Sequence, residues 1–361
     1  MRLRYILEER ATSGTLKEFL AKNGKVLDPE KEVNRLGKMH KENSKAIVED
    51  YHLAMTPEEF SQAIMPMYQQ RWPLAKPLPG VNRLIKHLHK HGIPLGLASN
   101  SIKKYIATKI SHQHGWKEMF SVIVGGDEVS HAKPSPDIFL EAASRLGVDA
   151  SNCLVIEDSP VGVRAAKDAG AKVVAVPSLQ NQAERYSIAD RVLHSLLEFQ
   201  PEIWGLPPFE DWTQSALLIE PLCSRGFIVD GDISNCCMLE SDNGSSDSLP
   251  DQVVGVFFGW VKLKTKGTFK MVAAVGWDCS WGTPKRVIKP FFFGINKSGP
   301  PKEAFNLAFV GYIRNFLDEE NILESSILSQ EDKSIAWAAL DLPEFSKDAD
   351  SYDDLFSNDM E

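Results

Sequence analysis

Acid outweighs base in this chain, cysteine is scarce, and long apolar runs are missing. Its 361 residues hold 49 Asp and Glu against 40 Lys and Arg, a net charge of −9. That balance argues against general nucleic-acid binding, which asks for a basic face. The five cysteines (Cys153, Cys223, Cys236, Cys237 and Cys279) are odd in number and show no C-x-x-C spacing. They read as reduced thiols that hold no metal. No stretch reaches the length of a membrane span. The start, MRLRYILEER, has neither a secretory apolar core nor a long Ser/Arg-rich, acid-poor stretch. The expected address is the cytoplasm, without a membrane or nucleic-acid partner. One further lack matters more: no aspartate precedes Asp28.

The length exceeds a comfortable single core, so two domains are expected. Residues from about 14 to 72 carry apolar positions at helical spacing. Within them TPEE is a start signal, with Thr56 as cap, Pro57 at the first helical position and acids in the first turn. From Val81 to Pro177 strands and helices alternate, which predicts a parallel sheet covered by helices on both faces. In such sheets ligands bind beyond the carboxyl ends of the strands. Ser99, Gly125, Asp127, Glu157 and Asp158 all fall at that edge. Beyond Trp204 the stretch WGLPPFEDW reads as a linker, and the runs VVGVFFGWVKL, TFKMVAAVGW and AFNLAFVGYI predict a small antiparallel barrel. One helix follows, SQEDKSIAWAALD, and the acidic end KDADSYDDLFSNDME reads as disordered. The predicted organisation is a first domain over 1–200 (helical region about 14–75, core about 76–200), a linker over 201–213, a barrel over 214–345 and a tail over 346–361.

Three strand ends carry the chemistry. IPLGLASN delivers Ser99 and Asn100, KPSPDIF opens with Lys133, and CLVIEDS delivers Glu157 and Asp158. Phosphoryl transfer through a carboxylate nucleophile needs a cation for the phosphate oxygens, which Lys133 fits. It also needs a metal held by further carboxylates, for which Asp158 and Glu157 are the candidates. Mg²⁺ suits such a pair, completing its shell with water and phosphate oxygens. Taken singly, each residue has a plainer reading: Ser99 as a helix cap, Lys133 as a solvated loop residue, the acidic pair as the next N-cap. Three strand ends presenting matching residues in order favour the phosphotransferase reading.

LASNS, KPSPDIFLEAASRLG and CLVIEDSPVGVRAAKDAG resemble the second, third and fourth motifs of the haloacid dehalogenase-like phosphatases. The resemblance covers roughly the first 200 residues and makes the helical region an inserted cap. WGLPPFEDW, GVFFGWV, FKMVAAVGW, FVGYIR and WAALDLPEF resemble the riboflavin kinase half of plant proteins that join such a kinase to an FMN phosphatase. The resemblance implies hydrolysis of FMN in the first half and formation of FMN from riboflavin and ATP in the second, both with Mg²⁺.

Departures from the two families stand beside the match. The phosphatase family opens on a strand ending Asp-x-Asp-Gly-Thr, whose first Asp attacks phosphorus. Here RLRYILEERATSG runs straight into the family pattern, so no nucleophile is identified, and Glu8 is a remote substitute. In the kinase half, SRGFIVDGDISN takes the place of the Gly- and Arg-rich phosphate loop. It keeps Arg225, Gly226 and Gly231, with Ser234 and Asn235 standing in for a Thr and an Asn. The family's catalytic Glu falls at Lys289, and an ammonium group cannot take the riboflavin proton. The expectation is a two-domain flavin-phosphate protein with impaired turnover. Its alternatives are a non-catalytic flavin- or phosphate-binding module, a scaffold, and a phosphatase of another small ester such as glycerol phosphate.

Overall fold

The computed structural model describes residues 10–28, 31–32, 35, 40–72, 77–177, 183–227, 238–239, 249–263, 267–278, 285–294, 304–316, 322–324 and 326–345. The chain divides into two compact units, Met1–Pro207 and Pro208–Glu361. Among the described residues no helix is long and apolar enough to cross a membrane.

Among the described residues the first unit begins with the helices α1 (Arg10–Lys22), α2 (His40–Asp50) and α3 (Pro57–Arg71). Their apolar stripes converge on a core of Leu16, Phe19, Leu20, Ile47, Phe60 and Ile64. The expected start at Thr56 is built as a capping box: Glu59 N–H donates to Thr56 Oγ1 at 3.2 Å, and Thr56 N–H donates to Glu59 Oε2 at 2.8 Å.

The αβ part follows in the order α4 (Val81–Lys90), β1 (Gly96–Ser99), α5 (Lys103–Ile110), α6 (Trp116–Met119) and β2 (Val122–Gly125). It continues with α7 (Asp137–Arg145), β3 (Leu154–Glu157), α8 (Pro160–Asp168), β4 (Lys172–Ala175) and β5 (Arg191–Val192). Sequence periodicity carries one helix through to residue 115, yet α5 stops at Ile110; Gly115, at φ +77°, then caps the separate α6. The short β5, exposed at both of its residues, is too brief to carry a strand signal; it pairs with β4 through Val174–Arg191.

The parallel sheet exists in two pieces. β1 pairs with β2 from Gly96–Val122 to Ser99–Gly125, and β3 pairs with β4 from Leu154–Lys172 to Glu157–Ala175. No ladder joins β1 to β3 among the described residues. Both pieces nonetheless share one core, in which Ala98 and Val124 lie with Ile138, Val155, Val163 and Val173. Among the described residues this division is the main departure from a continuous sheet.

The second unit is an antiparallel sheet of seven strands: β6 (Trp212–Thr213), β7 (Ala216–Phe227), β8 (Met238–Leu239), β9 (Gly255–Leu263), β10 (Gly267–Asp278), β11 (Lys285–Phe292) and β12 (Ala304–Arg314). Their spatial order is β6-β7-β12-β9-β10-β11-β8. Helix α9 (Gln330–Ala339), capped by Ser329, covers the barrel-like sheet with Ala336, Leu340 and Phe345 against Val256, Phe258 and Val310. Gly311 makes room for the Phe258 ring, which a Cβ there would meet at 2.0 Å. Within the stretch expected as a linker, Pro201–Trp204 forms a 3₁₀ turn and Trp212–Thr213 forms β6. The acidic tail lies outside the described residues.

Candidate functional site

The carboxyl ends of β1 and β3 meet at one lysine. Asn100, just past β1, is buried, and its Oδ1 accepts the Lys133 N–H at 3.1 Å. That bond holds the loop before α7 over the sheet end. The Lys133 side chain then runs inward, fully buried, with Nζ 2.9 Å from Glu157 Oε1 and 3.2 Å from the Ala98 carbonyl oxygen. Its ammonium also lies 4.4 Å from the centre of the Phe139 ring, a favourable cation–π contact. Ser99 stands beside this group, its Oγ accepting the Ser101 N–H at 3.2 Å. It does not cap α5, whose cap position is Ile102.

Glu157 is held from every side. While Oε1 takes Lys133, Oε2 accepts from Asp158 N–H at 3.1 Å, Ser159 N–H at 3.3 Å and Ser159 Oγ–H at 3.1 Å. Ser159 Oγ in turn accepts the Gly162 N–H at 3.2 Å and caps α8, with Pro160 in its first turn. The helix can lie this close only because position 162 is glycine: a Cβ there would come within 2.1 Å of the Glu157 carboxyl. Asp158 is buried next to it, and its backbone oxygen accepts the Tyr186 hydroxyl at 2.7 Å. The structure therefore gathers Asn100, Lys133 and Glu157 directly, with Ser99 and Asp158 as their chain neighbours.

Gly125 and Asp127 serve the scaffold instead. Asp127 Oδ1 accepts the Lys103 N–H at 2.8 Å and so caps α5 from a distant loop. Gly125 donates to Glu128 Oε2 at 2.9 Å. Burial pushes the Glu128 carboxyl up, but that bond, with those from Arg145 and Lys103, outweighs it and holds the group at about 2. Sequence reasoning missed Phe139, Ser159, Gly162 and Tyr186. For Ser159 and Gly162 the signal was available: Ser-Pro is a helix start, and a glycine in the first turn marks a close approach.

The acidic pair tests poorly as a magnesium site. Both Glu157 oxygens are already engaged, and Lys133 offsets its charge. No cluster of three or more His, Cys, Asp or Glu side chains is gathered among the described residues. The donor set does not fit the ion, and no step is derived through it.

In the second unit the expected phosphate loop starts as a strand. Arg225 and Gly226 lie in β7, paired with Asn306 and Phe305 of β12, where a ladder replaces the loop cradle. Gly231, Ser234 and Asn235 lie outside the described residues, as does Glu8 of the first unit. Lys289, on β11 opposite Ala274, donates through Nζ to the Leu323 and Glu324 carbonyl oxygens at 2.7 and 2.9 Å.

Known proteins resemble both the first unit and the chain as a whole. Residues 17–170 match the family model of haloacid dehalogenase-like hydrolases. A bifunctional riboflavin kinase/FMN phosphatase of Arabidopsis thaliana is 44% identical, across 92% of this chain and 89% of its own length. A (DL)-glycerol-3-phosphatase 2 of the same plant is 38% identical over 54% of this chain and 83% of its own length. A probable pseudouridine-5′-phosphatase of Drosophila melanogaster is 41% identical over 46% of this chain and 74% of its own.

Proposed function

The chain belongs to the family of bifunctional riboflavin kinase/FMN phosphatases, with a haloacid dehalogenase-like hydrolase as its first half, and on that premise we propose that it binds flavin phosphate while turning it over at background rates. The observation that supports this reading is the buried pairing of Lys133 with Glu157. A lysine at the meeting point of two strand ends is the cation such a site needs for phosphate oxygens. Here its charge is met by a carboxylate fixed through Ser159 and the α8 amides, not by one free to attack phosphorus. A carboxylate engaged at both oxygens is a poor attacking group for phosphorus.

For the kinase half, the placement of Lys289 between two carbonyl oxygens supports loss of the general base. Riboflavin, FMN and ATP remain the ligands to test, with Ser99, Asn100 and Lys133 assigned to the phosphate. Similarity of the first unit to a glycerol-3-phosphatase favours a second reading, in which the gripped ester is a smaller one. Flavin fluorescence titration separates the two. Quenching of FMN by the protein, not reversed by excess glycerol 3-phosphate, supports the flavin reading. Reversal supports the small ester, and no quenching at high protein concentration overturns flavin binding.

A further inference from the structure

The outer face of the second unit carries an aromatic strip that the flavin chemistry does not use. Phe291 and Phe293 meet edge to face with ring centres 5.2 Å apart, and Phe293 meets Trp337 of α9 at 5.2 Å. Trp337 keeps 50% of its surface in water and Phe291 keeps 37%. Two lysines border the strip: Lys333 Nζ lies 4.6 Å from the Phe291 ring centre, and Lys270 Nζ lies 4.3 Å from that of Trp337. Lys270 is anchored, donating to the Trp337 carbonyl oxygen at 3.0 Å and pairing with Asp341 at 2.7 Å. Contiguous exposed aromatics with a charged rim mark an interaction surface.

We propose that this strip seats the chain's own carboxy-terminal segment, residues 346–361. Three observations favour that occupant over any other. The first is where the described chain ends: the Phe345 carbonyl oxygen accepts the Trp260 indole N–H at 3.4 Å, and Trp260 stands directly across the ladder from Lys270. The segment therefore departs from the face of the sheet that carries the lysine bordering the strip. The second is composition: SKDADSYDDLFSNDME holds six acids against one lysine, and places Tyr352, Leu355 and Phe356 among them. Acids suit Lys333, and the apolar side chains suit the Phe291–Phe293–Trp337 rings. The third is reach. The seven to eleven residues from Phe345 to Tyr352 and Phe356 span up to roughly 23–40 Å when extended. Tethering at that length gives an effective concentration on the order of millimolar, enough to populate a contact that free peptides would make only weakly.

Photo-cross-linking on the full chain tests the proposal, with benzoylphenylalanine introduced at position 356. The expected product is an intramolecular cross-link to the peptides holding Phe291–Phe293 and Lys333–Trp337. Its yield falls about fivefold in Lys333→Glu, in line with the loss of an exposed charge pair turned repulsive. It falls likewise when Asp350, Asp353 and Asp354 are all changed to Lys, a variant that alters none of the residues that form the strip. Cross-links scattered over the surface, a dimer band that grows with protein concentration, or an unchanged yield in either variant overturns it.

Discussion

Lys133 Nζ lies 2.9 Å from Glu157 Oε1, with neither side chain exposed to water. The pair ties the loop before α7 to the end of β3, across the place where the parallel sheet divides. Removing one member of such a pair leaves a bare buried charge, whereas removing both leaves none. Lys133→Met is expected to cost about 3–5 kcal/mol, and the double change to Lys133→Met with Glu157→Leu to cost less than either single one. Hydrogen exchange of the β1 and β3 amides reads both values; additive costs would contradict the coupling.

Gly162→Ala is a sharper probe of the same lock. The new Cβ would meet the Glu157 carboxyl at 2.1 Å, so either α8 or the carboxylate must move. The expected loss is about 2–3 kcal/mol, the range of an overpacked core, with faster exchange at the α8 amino terminus. An unchanged thermal midpoint would show that Glu157 is not fixed as described.

Acid should weaken the first unit through Glu128. Its carboxyl sits at about 2 when folded against 4.5 as a free group. A carboxyl lowered on folding adds stability above its unfolded value, and that share is lost as pH falls from about 4.5 toward 2. Glu128→Gln is therefore expected to lower the midpoint at pH 7 by the equivalent of about 1 kcal/mol, small because the group is partly in water. Wild-type and variant melting curves should converge near pH 2. A constant offset across that range would refute the assignment.

The second unit has its own anchor in Arg314 and Asp332. Nε and Nη2 of the arginine donate to the two carboxyl oxygens at 2.9 Å each, and the Ser329 N–H donates to the same carboxyl. Burial raises the Asp332 pKa, but these bonds outweigh it and leave it lowered. Asp332→Ala should cost about 2–3 kcal/mol by leaving the guanidinium half-buried without its partner and α9 without its box. Helix loss seen by circular dichroism at lower urea is the readout.

Lys289→Glu tests the proposal that the kinase half lacks its general base. The new carboxylate would face the Leu323 and Glu324 carbonyl oxygens, which now accept from the lysine. Repulsion there should loosen residues 322–324 without producing ATP-dependent FMN. Appearance of FMN would mean that the base alone was missing.

Much of the first unit was legible because its signals are local. Thr56-Pro57 writes a helix start, and two apolar runs end in residues that meet at the site, with Lys133 reaching them from the loop before α7. The division of the sheet was not legible as geometry, since it depends on which strands find partners in space. The lock on Glu157 was hidden for the same reason: Ser159 and Gly162 look like ordinary helix-start residues until α8 is laid over the carboxylate. Asp127 falls at the same sheet edge in the sequence, yet its partner is the Lys103 amide 24 positions away. In the second unit, glycine and arginine suggested a loop, while β12 pairing makes Arg225 and Gly226 a strand.

Phosphate release from FMN, followed with magnesium present and at enzyme concentrations near the substrate's, is the most direct test. The account predicts a rate indistinguishable from buffer for this polypeptide, and release once a strand ending Asp-x-Asp-Gly-Thr is fused ahead of Thr15. Steady turnover by the unaltered chain would contradict it.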